Sequence, residues 1–202
     1  MVKISDKYTM NLTNSRFWFT EQEKVIDLLL EGYTLNEIKE KNKEDNIFDA
    51  ASERRSLKIM RHIAARLKPL GTDYIALFSK ENVPGKKLLV LVSLMVKDRL
   101  FFEFMYQVFR KKIMMGDLEI SARDFSIFWT HMASQNEKIA GYSQGVIENL
   151  ENAIRSILFN AGLLSEGQTD RKIIIPFVDD SIHKWLANNE LIPIYKALTG
   201  EA

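Results

Sequence analysis

Apolar residues recur every three to four positions through most of this sequence, the spacing that gathers them on one stripe of an α-helix. At Thr20-Glu-Gln-Glu23 a threonine can cap the third residue's amide while the glutamate reaches back, and Val25, Leu28 and Leu29 then form a stripe that ends at Gly32. Thr34-Leu-Asn-Glu37 repeats the capping box and opens a short second helix with Leu35 and Ile38 inward. A polar segment from Lys41 to Asp49, anchored by Ile47-Phe48, leads to Ser52, which can cap a third helix ending before Pro69 and Gly71. On that helix Leu57, Met60, Ala64 and Leu67 read as the buried stripe, with Arg54, Lys58 and Arg61 turned away from it.

Past Gly71 the helices become longer and more apolar. The pattern predicts a short helix from Asp73 to Ser79, one with Pro84 in its first turn continuing to Val96, and one capped by Asp98 that buries Leu100, Phe101, Phe104, Met105 and Phe109. A helix capped by Ser121 follows, with Phe125, Phe128, Trp129 and Met132 inward, then another from Ser143 to Gly162. Only Lys172 to Phe177 reads as extended, as half of a small hairpin turning at Ser165-Glu-Gly-Gln, and one or two helices fill Asp180 to Leu198. The fold class expected is all-α, with a tri-helical helix-turn-helix-like unit over residues 1–71 packed on a larger helical domain over 72–202 that carries at most one small β-hairpin.

Composition narrows the function. With no cysteine there is no disulfide, no thiolate zinc site and no cysteine nucleophile, and three scattered histidines make a poor metal site. No metal and no cofactor are therefore expected. The first ten residues lack the apolar core of a signal peptide, and Leu88 to Val96, the longest apolar run, is about half the roughly 20 residues a spanning helix needs. A cytoplasmic protein with no membrane partner follows as the expectation. The net charge of +1 hides a gradient: residues 1–70 balance at +2, residues 71–115 at +4 and residues 116–202 at −5.

Gly141-Tyr-Ser-Gln-Gly145 matches the G-x-S-x-G elbow of serine hydrolases, and Asp179 and His183 follow in the right order. The elbow needs a buried strand before its serine, and Ala133 to Lys138 is too polar for one, so Ser143 is read as a helix cap. Phe101-Phe-Glu-Phe-Met-Tyr106 could stack on bases but has core spacing, and His183 beside Trp185 reads as a packed indole next to a solvated imidazole. There is no phosphate loop and no paired acid, so neither an enzyme nor a small-molecule substrate is expected.

The stretch from Arg54 to Lys68 is different, because it contains six cations and no acid on a single helix. A helix ending Leu-Leu-Glu-Gly-Tyr-Thr, a short helix bearing Asn-Glu-Ile and a long helix opened by Ser-Glu-Arg-Arg resemble the tri-helical helix-turn-helix of response regulators and sigma factors. That resemblance implies a third helix entering the major groove of double-stranded DNA with its first turns leading, although Glu44 to Ala51 makes a longer turn than those families have. The expected DNA-binding set is Arg54, Arg55, Lys58, Arg61, His62, Arg66 and Lys68, with Lys86, Lys87, Lys111 and Lys112 as secondary phosphate contacts.

Taken along its whole length, the chain resembles the BrxA-type proteins of bacteriophage-exclusion (BREX) defence systems, small proteins once labelled as inner-membrane proteins. The residues that carry the likeness are Leu28-Leu-Leu-Glu-Gly32, Asp45-Asn-Ile-Phe48, Ile63-Ala-Ala-Arg-Leu67, Asp124-Phe-Ser-Ile-Phe128 and Ala161-Gly-Leu-Leu164. The resemblance implies a helical, non-enzymatic accessory component of a phage-defence locus that binds double-stranded DNA, with other BREX proteins as further partners. Two alternatives stay open on the residues alone: a protein-interaction adaptor docking through the acidic C-terminal part, and an RNA-binding helical bundle.

Overall fold

Side-chain caps set most of the element boundaries in the computed structural model, which describes residues 2–14, 16–165 and 172–201. Thr34 and Glu37 form the expected reciprocal capping box at the start of α2 (Leu35–Asp45), and Ser52 accepts from the Arg55 amide to open α3 (Glu53–Leu67). α1 (Phe19–Leu30) precedes them, and α4 (Gly71–Lys80) and α5 (Val83–Lys97) follow. Asn82 caps α5 through the Gly85 amide with Pro84 in the first turn, and Asp98 caps α6 (Arg99–Phe104). α6 runs on through a π-helical turn, Met105–Phe109, into α7 (Arg110–Met115). The remainder comprises α8 (Ala122–Gln135), α9 (Glu137–Ala140), α10 (Gln144–Asn160), α11 (Asp180–Asn188) and α12 (Ile192–Thr199). The architecture is all-α, as the periodicity predicts.

α5 is the centre of the molecule, with every residue from Leu88 to Val96 buried. A helix buried on all sides needs apolar residues all round, which explains why the run is continuous rather than striped. α1, α3 and α4 pack on α5, and a buried polar network crosses the junction. Gln22 Nε2 donates to Tyr74 Oη at 3.1 Å, and the Tyr74 hydroxyl donates to the Leu89 carbonyl at 2.9 Å. Ser93 Oγ donates to the Val90 carbonyl and lies 3.4 Å from Gln22 Oε1, so α1, α4 and α5 are joined through groups that would be costly to leave unpaired. No helix among the described residues is long and apolar enough to cross a membrane.

Four expectations change. α1 begins before Thr20: its N-cap position is Trp18, and Glu23 pairs with Lys86 instead of reaching back. α2 takes in most of the polar segment, because Asn42 is buried and accepts from Ser56 Oγ at 2.8 Å, which fastens that turn to α3. Ser143 occupies the N-cap position of α10, but its side chain makes no capping bond. The hairpin shrinks to isolated antiparallel bridges, Leu164 with Ile173 and Lys172 with Glu119. Pairing stops short of Pro176, which has no N–H to donate. The expected turn at 166–168 lies outside the described residues.

Candidate nucleic-acid interface

The surface in question is built by α2, α3, the turn between them and Asn14. α3 packs on α1, α2 and α5, which leaves its outer face and the flanks of its first turn to solvent. The turn before it is closed by Asn46, whose backbone is left-handed at φ 45° and whose amide pairs in both directions with the Ala50 backbone, at 2.9 and 3.1 Å. Phe48 is buried beneath that turn and holds it against the core. The extra residues of this connection therefore form a fixed loop.

The buried stripe of α3 differs from the one the sequence suggests. Ile59, Met60, Ile63, Ala64 and Leu67 face the core, while Leu57 is 39% exposed. Arg54, Leu57, Arg61 and Lys68 are exposed along one face, and Lys58 is half-buried beside them, donating to Asn14 Oδ1 at 2.9 Å. This row forms a ridge. On one side lies a groove of about 720 Å³ against α2, lined by Asn36, Lys39, Lys43, Arg61 and Lys68 among others. On the other lies one of about 680 Å³ lined by Asn14, Glu53, Arg54, Lys58, Arg61 and His62. Among the described residues none of Arg54, Lys58, Arg61 and Lys68 is held by an acid.

The other candidate residues are placed differently. Arg66 is fully buried; its guanidinium donates to the carbonyls of Phe17 and Arg16 and lies over the Trp18 ring at 5.4 Å. Burial lowers its pKa, and its position ties the segment before α1 to α3 rather than presenting a charge to a ligand. His62 is half-buried against Trp18, with ring centroids 5.5 Å apart. Burial, followed by the nearby Arg61, Arg66, Lys58 and Lys97, pushes it down to about 4, so the ring is neutral at physiological pH. Arg55 turns to the far side of α3 toward Lys87, away from the ridge.

The secondary clusters each divide. Lys86 is bound to Glu23 at 2.7 Å and lies over the Phe78 ring, while Lys87 has no such partner among the described residues. Lys112 bridges Asp117 at 2.7 Å and Asp124 at 2.9 Å, leaving Lys111 exposed. α7 is packed on α12, so the structure does not gather Lys111 and Lys112 onto the α3 ridge. The serine motif is a helix entrance with no strand before it, and Asp179 caps α11 through Ser181 while His183 packs on Tyr195.

Sequence reasoning missed Arg16. It lines a third hollow together with Arg55, Lys87 and the start of α1, and no local pattern announces that, because the three cations come from separate segments.

Comparison with known proteins covers most of the chain. The BrxA family model matches residues 6–190. The "BREX protein BrxA" of Bacillus cereus (strain H3081.97) is 34% identical over 172 residues, which is 85% of this chain and 86% of that one. The crystal structure of an uncharacterized protein from Magnetospirillum magneticum superposes with a TM-score of 0.80 at 14% identity, covering 96% of this chain and 99% of that one, a likeness of fold.

Proposed function

The chain belongs to the BrxA family, and from that premise we propose that it is a non-enzymatic component of a BREX phage-defence system that binds double-stranded DNA through the outer face of α3. The observation that carries this reading is the ridge itself. Arg54, Lys58, Arg61 and Lys68 stand on one face of a capped helix, unpaired with any described acid and bordered by two grooves. A rigid helix that projects cations between two depressions has the shape of an element entering a major groove, which is about 12 Å wide and admits one helix. The phosphate attraction is sequence-independent, so arginines on the ridge position the protein before any base is read.

The test is a titration of labelled duplex DNA, single-stranded DNA and duplex RNA at two salt concentrations. The reading predicts tightest binding to duplex DNA, weakening log-linearly with salt. Equal or tighter binding to duplex RNA would replace it with an RNA-binding function, since the wide A-form minor groove is met by shape rather than by an inserted helix.

One feature favours a second role as a protein adaptor. Phe177 is 87% exposed, and Ile174 and Ile175 beside it are also exposed, an apolar strip of the kind that marks a protein-binding surface. An adaptor interface of that composition responds weakly to salt, so the same titration separates the two roles.

A further inference from the structure

We propose that the hollow between the entrance to α1, the first turn of α3 and the N-terminal part of α5 is a phosphate site, and that it takes a backbone phosphate of the duplex contacted by α3; this rests on the DNA-binding reading above.

Arg16, Arg55 and Lys87 line this hollow of about 480 Å³, with Thr20, Ser156 and Asn160 alongside. The three cations belong to the segment before α1, to α3 and to α5, so the fold brings them together; they are not a run in the sequence. Among the described residues none of the three side chains has an ion pair or a hydrogen bond. Three like charges around a small concavity repel one another, and an anion seated between them removes that cost. Glu21 is the one acid in the lining, against three cations. The hollow therefore keeps a positive surplus.

The geometry points to a phosphate in particular. Arginine presents a planar fork that matches two oxygens of a phosphate, and lysine adds a point charge. The first turn of α1, Phe19 to Glu21, also lines the hollow, and that helix start has no side-chain cap, so its N-terminal dipole supplements the cations. Position also matters. Arg54 lines the groove on one side of α3 while Arg55 lines this hollow on the other, so the start of the helix carries cations on both flanks. A helix lying in a major groove has a phosphate strand on each side, and the hollow is placed to receive one of them.

Arg16→Ala combined with Lys87→Ala tests this without touching α3, and the backbone carbonyls that Arg66 uses remain. Duplex affinity is measured across a salt series for the wild type, this variant and an α3 variant, Arg54→Ala with Lys58→Ala and Arg61→Ala. Expected for the hollow variant is a log-log salt slope shallower by about 0.9, the value for one lost phosphate contact, and binding weaker by on the order of tenfold to unrelated duplexes alike. A wild type that binds duplex and a hollow variant with the same slope and affinity overturn the proposal while the α3 reading stands. In parallel, inorganic phosphate is titrated while the backbone amides of Phe19 and Thr20 are followed by NMR. Shifts in the wild type that vanish in the variant support the site. If those shifts occur but the wild type ignores duplex, the DNA-binding reading falls and the hollow belongs to a free phosphate ligand. With neither signal, both fall.

Discussion

Arg66 shows at the scale of one residue how a charge in a basic stretch can serve the fold. Replacing it with alanine leaves the Arg16 and Phe17 carbonyls without their donor inside the protein, which should cost roughly 3 kcal/mol or more and lower the melting temperature by roughly 6–12 °C. Arg61→Ala, on an exposed helical face, should stay within about 0.5 kcal/mol of the wild type. Thermal melting of the two variants checks both, and equal melting would mean the buried contacts contribute little. The sequence marks both residues as helix cations but does not separate them. Ile59 and Ile63, four apart, are the signal that turns the buried stripe toward Arg66 and leaves Leu57 outside.

His62 gives a pH signature of known sign. Its folded value of about 4 lies below its ordinary 6.5, so the unfolded chain takes the proton more readily. The stability tied to the neutral ring is complete above about 6.5 and is lost as pH falls toward about 4. Asp98 acts oppositely: burial pushes it up to about 6 from 3.8, so the folded state takes up that proton first and gains stability as pH falls through the same range. His62→Gln should flatten the loss of urea midpoint between pH 6.5 and 4, and Asp98→Asn should steepen it. A His62→Gln profile that parallels the wild type would contradict the placement of the imidazole against Trp18.

Among the elements, capping decides which boundaries are legible. Thr34-Leu-Asn-Glu37 and Ser52 are local motifs whose bonds form as written, so α2 and α3 start where the sequence places them. Thr20-Glu-Gln-Glu23 has the same form yet lies inside α1, because Phe17 is buried and the Arg66 bonds fix the chain just before Trp18. Long-range contacts override a local motif there, as the Asn42 bond to Ser56 does when it extends α2. Thr34→Ala should therefore cost about 1 kcal/mol and Thr20→Ala close to nothing, compared by urea denaturation. A larger loss at Thr20 would restore it as the cap.

Over the whole molecule, the buried network of Gln22, Tyr74 and Ser93 joins α1 and α4 to α5, the helix on which α3 packs. The all-α class and the ridge cations Arg54, Lys58 and Arg61 can be read from periodicity and charge. The hollow around Arg16 cannot, since it depends on how three distant segments come together. The most direct test of the central claim is the slope of log K against log salt for duplex DNA, comparing the wild type with the Arg54→Ala, Lys58→Ala, Arg61→Ala variant. Three lost phosphate contacts should make that slope shallower by close to 3 units, at about 0.9 each, with melting within a few degrees of the wild type. A variant that melts normally and binds duplex with unchanged affinity and slope would show that the ridge of α3 is a solvated face and not the DNA-binding surface.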